Sequence, residues 1–311
     1  MNIPVVDFGA YSLSEKDATD EQLQSLSKEL KAAFTEVGFV FLKNTGIMEE
    51  EVQRVMGISK KFFLQPDELK KPFIRSSFAN SSNHGWVSLE TERLNPLRPG
   101  DLKESFNTAS LHPDIKWPSS DAVKGFKEIQ TSFFLRCKEL SLRVLRVMGL
   151  SLGLDPDVFL SAHRLMETDE NGTTLRSLYY PPVNSDEVKE GQLRCGEHSD
   201  YGTITLLFQH SAGLQVRNRS GEFICAPAIP GAVLINIADL MQRWTSDQFI
   251  SVLHRVLLPP VGDSSTRQSL AFFVHPDDEA LITCCDGSNK YPPVTAGDYL
   301  IQRFNDSYGR K

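Results

Sequence analysis

The spacing of apolar residues changes once along this chain, and the change constrains its architecture. Up to about residue 160 they return every three or four positions; after residue 172 they return every second one. In the first regime Leu23, Leu26, Leu30, Ala33, Phe34 and Val37 draw a single apolar stripe, ended by Gly38. A second helix is expected over 48–64, stopped near Pro66, and a long one from about 121 to 152. In the long one Phe126, Ile129, Phe133, Leu140, Val144 and Met148 share a face. At ~1.5 Å per residue it spans roughly 45 Å, enough to brace a whole sheet.

In the second regime short strands are expected at 175–180, 203–208, 214–216, 223–226, 232–237, 250–257, 268–274 and 282–284. Turn residues such as Ser211-Ala212-Gly213 and Asn218-Arg219-Ser220-Gly221 separate them. Many short strands punctuated in this way make a sandwich or barrel. Brief strands at 3–8 and 39–42 precede them, the proline-rich segment 73–118 reads as irregular, and 295–310 returns to helix. No repeat, low-complexity tract or clean linker divides the 311 residues. One unit is therefore expected, with a mainly helical region over 1–160, a β core over 172–285 and a C-terminal helix over 295–311.

Charge narrows the function. Lys and Arg total 33 against 40 Asp and Glu, a net charge of −7, and no basic block stands out. Such a chain is a poor nucleic-acid binder, because phosphate contacts dominate that affinity. An anionic ligand must then be met by a few placed arginines. No run of about 18 apolar residues predicts a membrane span. The opening Met-Asn-Ile-Pro-Val-Val-Asp lacks the basic start of a secretory leader. Five scattered cysteines argue against a disulfide framework and for a reducing, cytoplasmic setting, with Cys284 and Cys285 as free strand thiols. A monomer or weak homo-oligomer is expected.

Three of the seven histidines open an H-x-D triplet. His112-Pro113-Asp114 and His275-Pro276-Asp277 carry a central proline and read as turns. His198-Ser199-Asp200 precedes a strand, and on extended backbone residues two apart share a face. His254 lies in an apolar, β-branched run, where a histidine read alone is a satisfied core residue. Taken together, His198, Asp200 and His254 make the facial set of two imidazoles and one carboxylate that suits non-haem Fe(II). Zn(II) also accepts such a set, in a hydrolase or a structural site.

On the next strand Arg267 and Ser269 again stand two apart. A guanidinium facing a barrel interior is costly unless it meets an anion. A small dicarboxylate could be gripped there while its other end chelates the metal; a salt bridge to a protein acid is the plainer alternative. The full pattern is H-x-D, 53 residues, H, 12 residues, R-x-S. It is far more specific than any of its parts.

With these residues in place, the chain resembles the isopenicillin-N-synthase-like branch of the Fe(II)/2-oxoglutarate-dependent dioxygenases. The resemblance runs through Ile3-Pro4-Val5-Val6-Asp7-Phe8, the stretch from Gly38 to Ile47, Asp101-Leu102-Lys103-Glu104-Ser105-Phe106, the stretch from Gly196 to Leu207, Asn236 to Met241, and His254-Arg255-Val256. It implies a mainly β fold with flanking helices, the core a distorted double-stranded β-helix, or jelly roll. It also implies Fe(II) on His198, Asp200 and His254, and the C5 carboxylate of 2-oxoglutarate on Arg267, Ser269 and Tyr180. O2 is the co-reactant, ascorbate a stimulant, and a small organic molecule the substrate, with succinate and CO2 as coproducts.

An oxidase of the same fold that dispenses with 2-oxoglutarate also carries the R-x-S pair, and an inactive binding protein would keep the fold alone. Leu178 takes the place of an asparagine that in plant members of the family contacts the chelating end of the cosubstrate. Thr45 and Ala238 stand where histidine and glycine are usual. Period two from Ser269 brings Phe273 to the inward face, as a candidate substrate contact or an ordinary core residue. Phe106 is a second candidate. Arg194, four residues before His198, is a third, if the strand stays regular.

Overall fold

The computed structural model describes residues 2–75 and 83–308. The first half supplies β1 (Val5–Asp7), α1 (Asp20–Glu36), β2 (Phe39–Lys43), α2 (Glu49–Phe63), the single turn α3 (Asp67–Lys70), β3 (Gly85–Val87), β4 (Glu104–Thr108), α4 (Phe126–Ser151) and the single turn α5 (Asp157–Leu160). The second supplies β5 (Thr174–Tyr180), β6 (Cys195–His198), β7 (Ile204–Gln209), β8 (Leu214–Arg217), β9 (Phe223–Cys225) and β10 (Ala232–Ile237). After these come α6 (Asp239–Trp244), β11 (His254–Val256), β12 (Arg267–Val274), β13 (Leu281–Ile282), β14 (Val294–Thr295) and α7 (Ala296–Tyr308).

The helices form where the stripes predict them. α1 begins in a capping box: the Thr19 hydroxyl accepts from the Gln22 amide, and the Gln22 side chain accepts from the Thr19 amide. Its leucines are buried.

Eight strands pair in the order β1-β2-β10-β7-β12-β5-β4-β3, and four more as β6-β11-β8-β9. The two sheets enclose an apolar interior that includes Phe39, Phe41, Leu178, Leu214, Leu234 and Val256. This is the jelly roll expected from the sequence. β12 shows how alternation positions the site. Arg267, Ser269, Ala271 and Phe273 face the interior, while Leu270, Phe272 and Val274 join the core under the helices. On that outer side Phe134 of α4 meets Phe272 edge-on at 5.0 Å, and Phe133 meets Phe208 at 5.1 Å. α4 thus braces the central strands from behind.

Three local expectations differ from the structure. The strand expected over 250–257 is confined to β11, because the preceding amides bond elsewhere. Ile250 donates to the Phe34 carbonyl and Ser251 to the Gln242 side chain. Strand β13 stops before Cys284, whose sulfur accepts from the Tyr291 amide in a loop. The segment 73–118 is not wholly irregular, since it contains β3 and β4. The sequence of β4, Glu-Ser-Phe-Asn-Thr, shows no apolar alternation because its inward side chains are polar and paired. No helix among the described residues is long and apolar enough to cross a membrane.

Candidate active site

β6 and β11 run antiparallel with His198 directly opposite His254, so pairing alone brings the two imidazoles to 4.3 Å between ring centres. Asp200 follows just beyond the end of β6. Its Oδ1 lies 3.5 Å from Nε2 of each histidine, and the three ligand atoms fall within 4.8 Å of one another.

The surroundings aim each donor. His198 Nδ1 donates to the Gly196 carbonyl at 2.8 Å and His254 Nδ1 to the Val252 carbonyl at 3.1 Å, so each Nε2 lone pair turns inward. Asp200 Oδ2 accepts from Thr205 Oγ1 at 2.7 Å and from Asn236 Nδ2 at 2.8 Å, which leaves Oδ1 to the histidines. Burial by itself would raise the Asp200 pKa, but the neighbouring His254 and His198 outweigh it and hold the carboxyl well below its ordinary value. The donor set therefore fits a divalent iron: two imidazoles and one carboxylate on one side, pre-oriented, with the opposite side open.

A buried ionic network fixes this arrangement from below. Asp101 Oδ1 accepts the Gly196 amide of β6 at 2.9 Å, and its Oδ2 accepts Lys103 Nζ at 2.9 Å. Lys103 also reaches Glu92 at 2.8 Å and Cys195 Sγ at 3.3 Å, and Glu92 in turn pairs with Arg176 at 3.0 Å. Burial opposes the charge on Lys103, yet Asp101, Cys195 and Glu92 raise its pKa well above the ordinary lysine value. The Asp-x-Lys-Glu segment read from the sequence thus docks β6 and, through it, His198. Replacing Asp101 with alanine should cost about 3–5 kcal/mol of stability, because it leaves the buried Lys103 ammonium with Glu92 as its remaining carboxylate partner and the Gly196 amide without its acceptor. Denaturant unfolding of the metal-free protein measures this.

The interior continues from the triad to Arg267 as a hollow of about 550 Å³, walled by Leu178, Leu207, Leu214, Val256 and Ala271. Arg267 is 2% exposed. Its Nη2 donates to Gln209 at 2.8 Å, Nη1 to Ser269 Oγ at 3.3 Å and Nε to the Ala212 carbonyl at 3.1 Å. Its guanidinium lies 5.0 Å from the Tyr180 ring. Burial raises the Tyr180 pKa above the usual phenol value, with Arg267 opposing, so Tyr180 is a neutral donor at pH 7. Iron-type ligands and an anion-type grip therefore stand at opposite ends of one apolar passage.

A second hollow of about 470 Å³ adjoins the first at His198 and Asp200, against Thr174, Arg176, Tyr201, Phe273, His275 and Phe304. Phe273 lines both hollows, with the Arg176 guanidinium 5.5 Å from its ring. The other two substrate candidates are corrected. Phe106 is fully buried on the opposite face of β4, edge-on to Phe62 at 5.2 Å and Phe126 at 4.9 Å; its neighbour Asn107 is the one that reaches Arg176. Arg194 lines neither hollow. Its Nη2 donates to the Pro181 and Ser265 carbonyls at 3.3 and 2.6 Å. β6 begins only at Cys195, and its pairing with β11 is bulged, so the alternation counted back from His198 does not reach Arg194. Arg176 was missed although the signal was present: period two from Tyr180 passes through Leu178 to Arg176.

Comparison with known proteins agrees with this geometry. The family model described as the 2OG-Fe(II) oxygenase superfamily matches residues 171–276, and the one described as non-haem dioxygenase in morphine synthesis N-terminal matches residues 3–128. The 2-oxoglutarate-dependent dioxygenase htyE of Aspergillus rugulosus is 30% identical over 91% of this chain and 90% of its own. Proline hydroxylase buaE of Petromyces alliaceus is 30% identical over 92% and 94%. A full-length Neurospora crassa protein, solved in complex with alpha-KG and thymine, superposes with a TM-score of 0.84 at 32% identity, over 98% of this chain and 96% of that one. With both halves matched and the relatives covered nearly end to end, the chain belongs to the 2OG-Fe(II) oxygenase superfamily, in its isopenicillin-N-synthase-like branch, and is a 2-oxoglutarate-dependent dioxygenase.

Proposed function

We propose that this protein oxidises a C–H bond of a small organic molecule held in the hollow between Phe273 and the triad. His198, Asp200 and His254 hold Fe(II), and Arg267, Ser269 and Tyr180 grip the C5 carboxylate of 2-oxoglutarate. One observation carries this assignment: the open side of the triad and the buried guanidinium face each other along a single apolar passage. When bound, Fe(II) and 2-oxoglutarate supply the oxidising chemistry, consuming O2 and releasing succinate and CO2.

The chain's own part is placement. Thr205 and Asn236 keep Asp200 Oδ1 on the metal side, Gln209 orients Arg267, and apolar walls exclude water from between the two ends. No side chain is asked to act as a general base. The five cysteines are unpaired, which supports a reducing compartment, the cytosol.

The test is a panel of small molecules read by succinate release with Fe(II), 2-oxoglutarate and ascorbate. Thymine and L-proline come first, because the Neurospora protein was solved with the former and the Petromyces relative is named for the latter. A panel member that raises succinate and is itself oxidised supports the assignment; a metal-loaded protein that never releases succinate from 2-oxoglutarate rejects it. With a substrate in hand, Phe273→Ala should lower product formation by on the order of 10- to 100-fold, through loss of positioning. Affinity for 2-oxoglutarate should stay within about twofold, so succinate comes to exceed product.

A further inference from the structure

The C-terminal helix α7 touches the segment that carries Asp200 at two points. Arg303 Nη2 lies 2.7 Å from Asp239 Oδ2, and the same oxygen accepts Ser199 Oγ at 2.9 Å. Ser199 stands between His198 and Asp200, and the Asp239 amide in turn donates to the Asp200 carbonyl at 2.9 Å. On the other flank the Arg303 guanidinium lies 4.6 Å from the ring of Tyr201, the residue after Asp200, and Phe304 meets that ring edge-on at 6.1 Å. Phe304 and Tyr201 both line the 470 Å³ hollow. One stretch of α7 thus reaches the residue before Asp200 through Asp239, contacts the residue after it directly, and forms part of the wall of the proposed substrate hollow.

We infer that α7 is a clamp on the metal-binding segment, with Arg303 as a positioning residue that couples closure of the substrate hollow to the set of Asp200. The inference rests on His198, Asp200 and His254 being the metal ligands. An isolated ion pair of this exposure would contribute little. Here the shared Asp239 oxygen makes the pair a relay: seating Arg303 orients Asp239, Asp239 orients Ser199, and the Tyr201 ring is held by Arg303 and Phe304. Coupling between two sites is reciprocal, so a metal that stiffens the segment must also tighten α7, and a loosened α7 must weaken the metal. A molecule seated against Phe304 would act on the same equilibrium.

Co(II), a redox-stable divalent probe, tests this in the full chain. In the wild type, Co(II) with 2-oxoglutarate should slow hydrogen exchange of amides 298–305 by about fivefold or more, and Arg303→Ala should weaken Co(II) binding by a similar factor. Arg303→Lys should recover part of that loss, since the charge can still reach Asp239. In a Ser199→Ala background, Arg303→Ala should cost less than about twofold, because the relay is already cut. Equal exchange with and without metal, or losses that multiply in the double variant, would overturn the clamp. A wild type that binds no Co(II) would overturn the metal site as well, so the two failures are distinguishable. Thermal melts confirm that each variant is folded.

Discussion

Asp200→Ala should abolish both Fe(II) binding and succinate release while leaving the protein folded. Loss of an outer hydrogen-bond partner of a metal ligand typically costs roughly 10–100-fold in affinity; loss of the ligand itself should cost more. The carboxylate is the only anion among the three residues proposed to hold the metal, and it would serve two roles through its two oxygens. Oδ1 faces both histidines, while Oδ2 ties the segment to Thr205 and Asn236. Asp200→Asn separates these roles. The amide oxygen can still accept from Thr205 and Asn236 but the group brings no charge, so metal affinity should fall nearly as far with less loss of stability. Asn236→Ala supplies the converse control: it keeps the ligand and removes one restraint, and should fall within the outer-partner range. Equilibrium titration with Fe(II) under anaerobic conditions, followed by melting of the metal-free variants, reads all three. Wild-type affinity in Asp200→Ala would remove Asp200 from the ligand set.

Much of this site was legible before the fold, because its chemistry lies on extended backbone. A two-residue step on a strand is enough to say that Arg267 and Ser269 share a face, and the jelly roll places that face inside. The pairing of His198 with His254, by contrast, depends on register between strands separated by 55 residues, which no local pattern encodes. The errors have the same origin. Counting back from His198 misplaces Arg194 because β6 begins one residue later and is bulged, and motif membership misplaces Phe106 because its own alternation points it toward the helices. The lysine, glutamate and arginine network was invisible for a different reason. Buried charges pair across β4, β5 and the loop holding Glu92, so Lys103 and Arg176 look like ordinary surface residues until those segments are adjacent. The same holds for α7, whose stripe predicts a helix but not what it touches.

Arg267→Ala should weaken 2-oxoglutarate binding by at least about 30-fold. Truncating one partner of a buried charge pair costs about 2–5 kcal/mol, and each 1.4 kcal/mol is a factor of ten. The loss falls on one end of the ligand only. 2-Oxobutyrate keeps the chelating 2-oxo acid but lacks the second carboxylate, so it should bind the wild type and Arg267→Ala equally. The difference between the two ligands then isolates the carboxylate–guanidinium contact from any general collapse of the pocket. Arg267→Lys should recover only part of the affinity. An ammonium cannot hold Gln209 Oε1, the Ala212 carbonyl and a carboxylate together as a planar guanidinium can. Leu178 makes the dependence steeper. It occupies the β5 position beside Ser269 and has no donor to offer a ligand, so the affinity of the dicarboxylate should rest mainly on the Arg267 end. Equal 2-oxoglutarate affinity in Arg267→Ala and wild type would place the cosubstrate elsewhere, even with the metal triad intact.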